Sequence, residues 1–448
     1  MATDRNEMRF PPGFLWGTAT AAHQVEGGNE NNQWWAWEQG TGRIWQDQRS
    51  GRACNWWECA EDDLAVAAEM GQNSHRLSIE WSRIEPREGE FDDRPLERYR
   101  RLLSRMHELG LEPMVTLHHF THPQWLEAQG GWLNPETVGR FARFTERVAA
   151  ALGDQIRLWC TVNEPTIFAA QGYLQGVWPP QQRSLSATVQ VLRNLLAGHG
   201  AAYSILHQRV PGAQVGMASA IRLFDPARPS FPPDRTLARL FDHVFNEVPI
   251  LATIDGRLRF PLSLDGRRVE ALANSCDFIG INYYTRELVA FDLRRPGELF
   301  ARRFYAPGTE RCDPGGQHDD FGEIYPEGLY RCLHAYGRLG KPIYVTENGW
   351  GDADDSRRPR ALLTHIAQMW RAVAEGIPVL GYYHWSLLDN FEWAEGWHER
   401  FGLIEVDPVT QARRPRRSAA VYADIARTNG ITREMVERYA PEALDKIF

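Results

Sequence analysis

Leu158-Trp159-Cys160-Thr161-Val162-Asn163-Glu164-Pro165 is an apolar, β-branched run that breaks into turn residues at a glutamate. Ile343-Tyr344-Val345-Thr346-Glu347-Asn348-Gly349, far along the chain, has the same form. Each reads as a strand delivering a carboxylate straight into a loop, where functional residues concentrate. Only a fold that gathers strand ends can bring the two glutamates together.

Outward from these two runs, strand-like and helix-like segments alternate along the whole chain. Strands are expected at 14–18, 74–79, 114–117, 158–162, 215–218, 278–281, 343–345 and 379–385. Helical stripes lie between them. Leu96, Tyr99, Leu102, Leu103, Met106 and Leu109 share one face, opened by Pro95 and closed by Gly110. Val138, Phe141, Thr145, Val148 and Leu152 share another, capped by Asn134-Pro135, and a third helix spans 359–375 before Gly376. Such alternation implies a parallel sheet with crossover helices, and eight repeats imply a single (β/α)8 TIM barrel over 1–448. Long βα loops, notably 26–55 and 289–321, are expected to form the active-site rim. Barrel chemistry sits at the C-terminal strand ends. The expected rim therefore gathers Glu164 after strand four and Glu347 after strand seven, with Gln24, His119, Asn282 and Trp385.

Composition narrows the function. The 448 residues carry a formal charge of −8, and 43% of them are hydrophobic. An acidic balance argues against a nucleic-acid binder. The arginine clusters at 357–360 and 413–417 read as solvated faces. No run approaches the ~20 apolar residues of a membrane span. Residues 1–9 are polar and carry charges of both signs, unlike a signal peptide. Six irregularly spaced cysteines without a CxxC pair read as reduced thiols. A cytoplasmic enzyme is the expectation. The outlier is tryptophan, with 17 in the chain. Burial is the default for any one indole, but the loop set Trp34, Trp35, Trp37, Trp56, Trp57, Trp132, Trp350, Trp393 and Trp397 is expected to include contacts to sugar C–H faces.

A facing carboxyl pair suits glycosidic cleavage with retention, for which the two groups stand about 5–5.5 Å apart. One carboxylate attacks the anomeric carbon and the other, protonated, donates to the departing oxygen, so their surroundings must separate their pKa values. Arg76, late in strand two, is assigned as the fork that keeps Glu347 ionised. The negative charge of Glu347 would then hold Glu164 protonated.

Beyond the two glutamate segments, the chain carries Phe14-Leu15-Trp16-Gly17-Thr18-Ala19-Thr20, Gln24-Val25-Glu26-Gly27 and Ser78-Ile79-Glu80-Trp81-Ser82-Arg83-Ile84. It also carries Thr116-Leu117-His118-His119-Phe120, Gly280-Ile281-Asn282-Tyr283-Tyr284 and Trp385-Ser386-Leu387-Leu388-Asp389-Asn390-Phe391-Glu392-Trp393. In this order the motifs resemble glycoside hydrolase family 1, the retaining β-glucosidases and their relatives, over nearly the whole length. The resemblance implies Glu164 as acid/base and Glu347 as nucleophile. It implies Asn163 at the sugar 2-hydroxyl, and Gln24, His119 and Trp393 at the 3- and 4-hydroxyls. Glu392 would meet the 4- and 6-hydroxyls, and Trp385 would floor the ring. Tyr284 and Arg76 would brace the nucleophile, with Asn282 behind them. It implies no cofactor or metal, and small glycosides (β-glucosides and cellobiose-like disaccharides) as ligands.

Three positions depart from the family pattern. Phe120 stands where Trp is common, Thr166 where an aromatic residue often follows Asn-Glu-Pro, and Glu80 where many members have a small residue. Phe168, Trp178, Asn246 and Trp350 are candidates for the outer subsite. His118, His119 and His122 fit no zinc spacing, no glycine-rich phosphate cradle precedes a helix, and no serine has a nucleophile-elbow context. Two alternatives are a 6-phospho-β-glycosidase, disfavoured by repulsion between Glu392 and a 6-phosphate, and a catalytically silent sugar-binding barrel, disfavoured because both carboxylates are present.

Overall fold

The computed structural model describes residues 6–314, 316 and 321–448. The first five residues of the N-terminal segment, and residues 315 and 317–320 of the 289–321 loop, lie outside them. The eight barrel strands are β1 (Leu15–Ala19), β2 (Ser74–Ser78), β3 (Glu112–His118), β4 (Leu158–Asn163), β5 (Gln214–Pro226), β6 (Phe278–Phe291), β7 (Ile343–Asn348) and β8 (Val379–His384). Each pairs in parallel with the next, and β8 returns to β1, closing the barrel. All eight expected strands are present.

The helices form an outer layer because each buries one stripe against the barrel. Helix α1 (Asp93–Glu108) buries Leu96, Tyr99, Leu102, Leu103 and Met106, as its spacing predicts, while Leu109 is only half-buried at the cap. Its true start is Asp92, whose carboxylate accepts from the Arg94 N–H; Pro95 falls inside the first turn. Helix α2 (Thr137–Leu152) begins just after Asn134, whose Oδ1 accepts the Glu136 N–H at 3.0 Å. Its buried face includes Phe144, absent from the expected stripe, which stacks on Trp81 with centroids 4.9 Å apart. Among the described residues no helix is long and apolar enough to cross a membrane.

The rim differs from the expectation in one place. Strands β5 and β6 do not stop at the barrel mouth but keep pairing to Pro226↔Val289. Ala301–Phe304 then adds antiparallel to β6. Much of the expected 289–321 loop is therefore bounded by a small sheet that stands above the barrel. Ile221-Arg222-Leu223-Phe224 continues the β-type pattern past Ala218, which is why the strand runs on. The loop 26–55 is an irregular rim segment that contains a short α-helix, Gln33–Glu38, and a 3-10 turn, Trp45–Asp47.

Candidate active site

Both glutamate strands lose register as they reach the mouth. The β4–β5 ladder slips between Cys160 and Asn163, and the β7 ladders slip around Glu347, which comes to lie opposite Asn282. A bulge of this kind re-aims a side chain at a strand end. Glu164 adopts a left-handed φ of +44°, and Pro165 then starts the helix Pro165–Ala169 at its first position, where a missing N–H is tolerated. In the second motif the Asn348 amide donates to the Tyr283 carbonyl at 2.7 Å, and its Oδ1 accepts the Tyr382 hydroxyl at 2.9 Å. Gly349 is obligatory there, since a Cβ would lie 1.8 Å from the Trp385 carbonyl oxygen. Each motif is thus a strand end stapled to its neighbours.

A single buried hydrogen-bond network joins the two carboxyls. Arg76, itself buried, donates from Nη1 to Glu347 Oε1 at 2.6 Å and from Nη2 to Asn163 Oδ1 at 2.7 Å. The Tyr284 hydroxyl donates to Glu347 Oε2 at 2.7 Å. The Asn282 amide donates to Glu164 Oε1 at 2.8 Å and to Asn163 Oδ1 at 3.1 Å, while its own oxygen accepts the Thr346 hydroxyl at 2.6 Å. Because Asn163 Oδ1 is occupied by these donors, its amide faces His119 Nε2 at 3.2 Å. That nitrogen must accept, which places the imidazole proton on Nδ1. Burial, reinforced by the Arg76 charge, keeps His119 neutral.

The electrostatics of the pair are unequal. Burial, and then the facing Glu347, push Glu164 up to about 8. Burial raises Glu347 as well, but the Arg76 guanidinium and the Tyr284 hydroxyl both favour its ionised form. Among the described residues the hydrogen bond to Glu164 comes from the neutral Asn282 amide, whereas Glu347 is held by the Arg76 cation, so Glu347 loses its proton first. The ordering matches the sequence expectation, whereas the leading cause is burial rather than the neighbouring charge. Burial also raises the Glu392 carboxyl well above its ordinary range, beside Gln24 Nε2 at 3.1 Å and Trp385 Nε1 at 3.4 Å.

Every expected site residue except Arg76, namely Gln24, His119, Asn163, Glu164, Asn282, Tyr284, Glu347, Trp385, Glu392 and Trp393, lines one cavity at the C-terminal mouth. Arg76 lies beneath it, tying Glu347 to Asn163. Of the outer candidates Trp178 lines the cavity, and so does Phe120. Phe168, Asn246 and Trp350 do not. Asn246 is buried bonding to both the Arg222 backbone N–H and carbonyl, and Trp350 packs on His365 with centroids 4.4 Å apart. The tryptophan expectation narrows in the same way. Within the loop set Trp393 alone lines the cavity among the described residues, while Trp34 backs it with centroids 4.8 Å apart and the others serve packing or surface roles. His118 and His122 are engaged elsewhere, with Trp132 Nε1 at 2.9 Å and Glu127 at 2.7 Å.

Sequence reading missed the outer wall. Arg222, Glu287 and Arg303 line it, with Arg222 and Glu287 paired at 2.6 Å and Arg303 and Glu287 at 3.3 Å. Arg222 and Glu287 stand on the extensions of β5 and β6, and Arg303 on the added strand Ala301–Phe304.

Residues 6–431 match the model of glycosyl hydrolase family 1. The chain belongs to glycosyl hydrolase family 1. Among family 1 relatives, Beta-glucosidase A of Thermotoga maritima is 32% identical over 454 residues, covering 95% of this chain and 99% of that protein. A Beta-galactosidase of Pyrococcus woesei is 31% identical over 507 residues, covering 96% and 99%. Among solved structures, a beta-glycosidase from Pyrococcus horikoshii superposes with a TM-score of 0.88 at 38% identity, covering 97% of this chain and 98% of that one. The Thermotoga maritima beta-glucosidase in complex with glucoimidazole gives 0.87 at 31% identity, covering 95% and 100%. This family 1 member is therefore a glycoside hydrolase, and the carboxyl pair stands in a cavity built on the family's barrel.

Proposed function

We propose that this family 1 enzyme is a retaining exo-β-glycosidase, most closely a β-glucosidase. It releases β-linked glucose, and also fucose or galactose, from the non-reducing end of small glycosides and cellobiose-like disaccharides. The observation that carries this reading is the asymmetry of the carboxyl pair. Glu347 is held by a cation and a hydroxyl donor, and Glu164 is pushed up to about 8.

In this reading Glu347 attacks the anomeric carbon while Glu164 donates its proton to the departing oxygen. Once Glu347 is an ester its charge is gone, and the pKa of Glu164 falls. Glu164 then takes the proton from the water that displaces the sugar, returning the β configuration. An acceptor alcohol can replace that water. Asn163 meets the 2-hydroxyl, Gln24, His119 and Trp393 the 3- and 4-hydroxyls, and Glu392 the 4- and 6-hydroxyls, with Trp385 beneath the ring. Tyr284 and Arg76 brace the nucleophile, and Asn282 holds the acid. Glu392 disfavours 6-phosphorylated sugars, since a carboxyl beside O6 offers a phosphate no cation. The chain acts as one catalytic unit over 1–448, and six unpaired cysteines suit a reducing, cytoplasmic setting.

Turnover of an aryl β-glucoside by Glu347→Ala and Glu347→Gly tests the proposal. Loss of turnover supports it, and wild-type turnover in either variant overturns it.

A further inference from the structure

Glu80, the acidic departure from the family pattern, is fully buried yet does not line the cavity. Its Oε1 accepts the Ser82 hydroxyl at 2.6 Å, and its Oε2 accepts the Thr121 hydroxyl at 2.8 Å. Gln33 holds the same segment by its backbone. The Gln33 amide donates to the Phe120 carbonyl at 2.7 Å, and its Oε1 accepts the His122 N–H at 2.8 Å. Between these holds Phe120 has a φ of +68°, in the left-handed region that a bulky residue rarely enters. Such strain persists only where the surroundings over-determine it, and it clusters at ligand-binding positions. The strained residue adjoins His119, which stacks over Trp385 with centroids 5.9 Å apart at the cavity floor. Gln33 comes from the loop after β1, Glu80 from the loop after β2 and Thr121 from the loop after β3, so three rim loops meet at one turn.

We propose that Gln33, Glu80 and Thr121 form a clamp that holds the strained Phe120 turn and so sets His119 against the sugar 3-hydroxyl. None of the three touches the sugar; they are positioning residues. The inference rests on the reading above in which His119 meets that hydroxyl. It differs from a merely structural role because its loss is felt selectively. A loosened clamp weakens recognition of the 3-hydroxyl and leaves a substrate without that hydroxyl little affected.

Thr121→Val deletes the hydroxyl at nearly constant volume, and Thr121→Ser retains it. We expect Thr121→Val to lower kcat/KM on 4-nitrophenyl β-glucoside about tenfold, the scale of one lost hydrogen bond. On the 3-deoxy analogue the loss should stay under about twofold, and Thr121→Ser should restore the ratio between the two substrates. Equal losses on both substrates, or no loss on either, overturn the clamp. Should Thr121→Val fail to fold by circular dichroism, Glu80→Gln, which keeps the shape but replaces one acceptor by a donor, must shift the same ratio in the same direction; an unmoved ratio overturns the clamp. Failure of the wild-type enzyme to cleave the glucoside would instead overturn the β-glucosidase reading itself.

Discussion

Tyr284→Phe isolates one interaction in the site. The Tyr284 hydroxyl donates to Glu347 Oε2 at 2.7 Å, while Arg76 independently holds Oε1. Removing the hydroxyl leaves the ring against Phe321 and Phe401, with centroids 6.0 and 6.1 Å away, so packing survives. A hydrogen bond to a charged group contributes about 1.5–3 kcal/mol. The bond favours the ionised form of Glu347, so without it the proton leaves at higher pH. At about 1.36 kcal/mol per pKa unit, the acid limb of the kcat/KM profile moves up by about one to two pH units. The basic limb, set by Glu164, stays in place because the charge it faces is still present. Below the shifted limb kcat/KM falls by about 10- to 100-fold. A pH profile of kcat/KM on an aryl β-glucoside, wild type against variant, reads all of this. An unmoved acid limb, or a shift confined to the basic limb, refutes the assignment of Glu347 as the group that must be ionised.

Other outcomes follow from the same network. The Asn282 amide favours the ionised form of Glu164, so Asn282→Ala should move the basic limb to higher pH; a move to lower pH contradicts the hydrogen-bond assignment. Glu164 keeps its proton in the folded protein up to about 8, against an ordinary 4.5, so the stability this proton confers is full below pH 4.5 and is lost as pH rises to about 8. Thermal melts should therefore show Glu164→Gln gaining Tm over wild type across that window, and a constant gap contradicts the raised pKa. Gly349→Ala forces the Glu347 turn away from the Trp385 carbonyl and should cost about 10²-fold in kcat/KM, whereas wild-type kcat/KM in that variant contradicts the close approach.

The sequence was most legible where local chemistry and global position agree. Glu164 and Glu347 ended β-branched runs in turn residues, and the barrel count alone sent both to one rim. Arg76 was legible as a partner of Glu347 because the barrel count places a residue late in β2 at the same rim, although the two strands do not pair. Legibility ended where tertiary context decides. Trp34 and Trp350 look like sugar platforms in a loop, yet Trp34 packs behind Trp393 and Trp350 packs on His365, so both indoles are spent on packing. Asn246 was a candidate for the outer subsite, but its side chain satisfies the Arg222 backbone N–H and carbonyl at the register shift in β5. Arg222 and Glu287 were invisible because strand length beyond the barrel depends on pairing between β5 and β6, and Arg303 because its strand forms only by pairing with β6. The role of Glu80 could not be read at all, since its partner Thr121 lies in another loop and Phe120's left-handed backbone leaves no local mark in sequence.

The anomer first released from an aryl β-glucoside, followed by proton NMR before mutarotation, bears most directly on the account. A nucleophilic Glu347 and a recycling acid/base Glu164 predict that the β-sugar appears first and converts slowly to the equilibrium mixture. The α-sugar appearing first would mean that water attacked directly from the opposite face, and would contradict the assignment of both carboxyls.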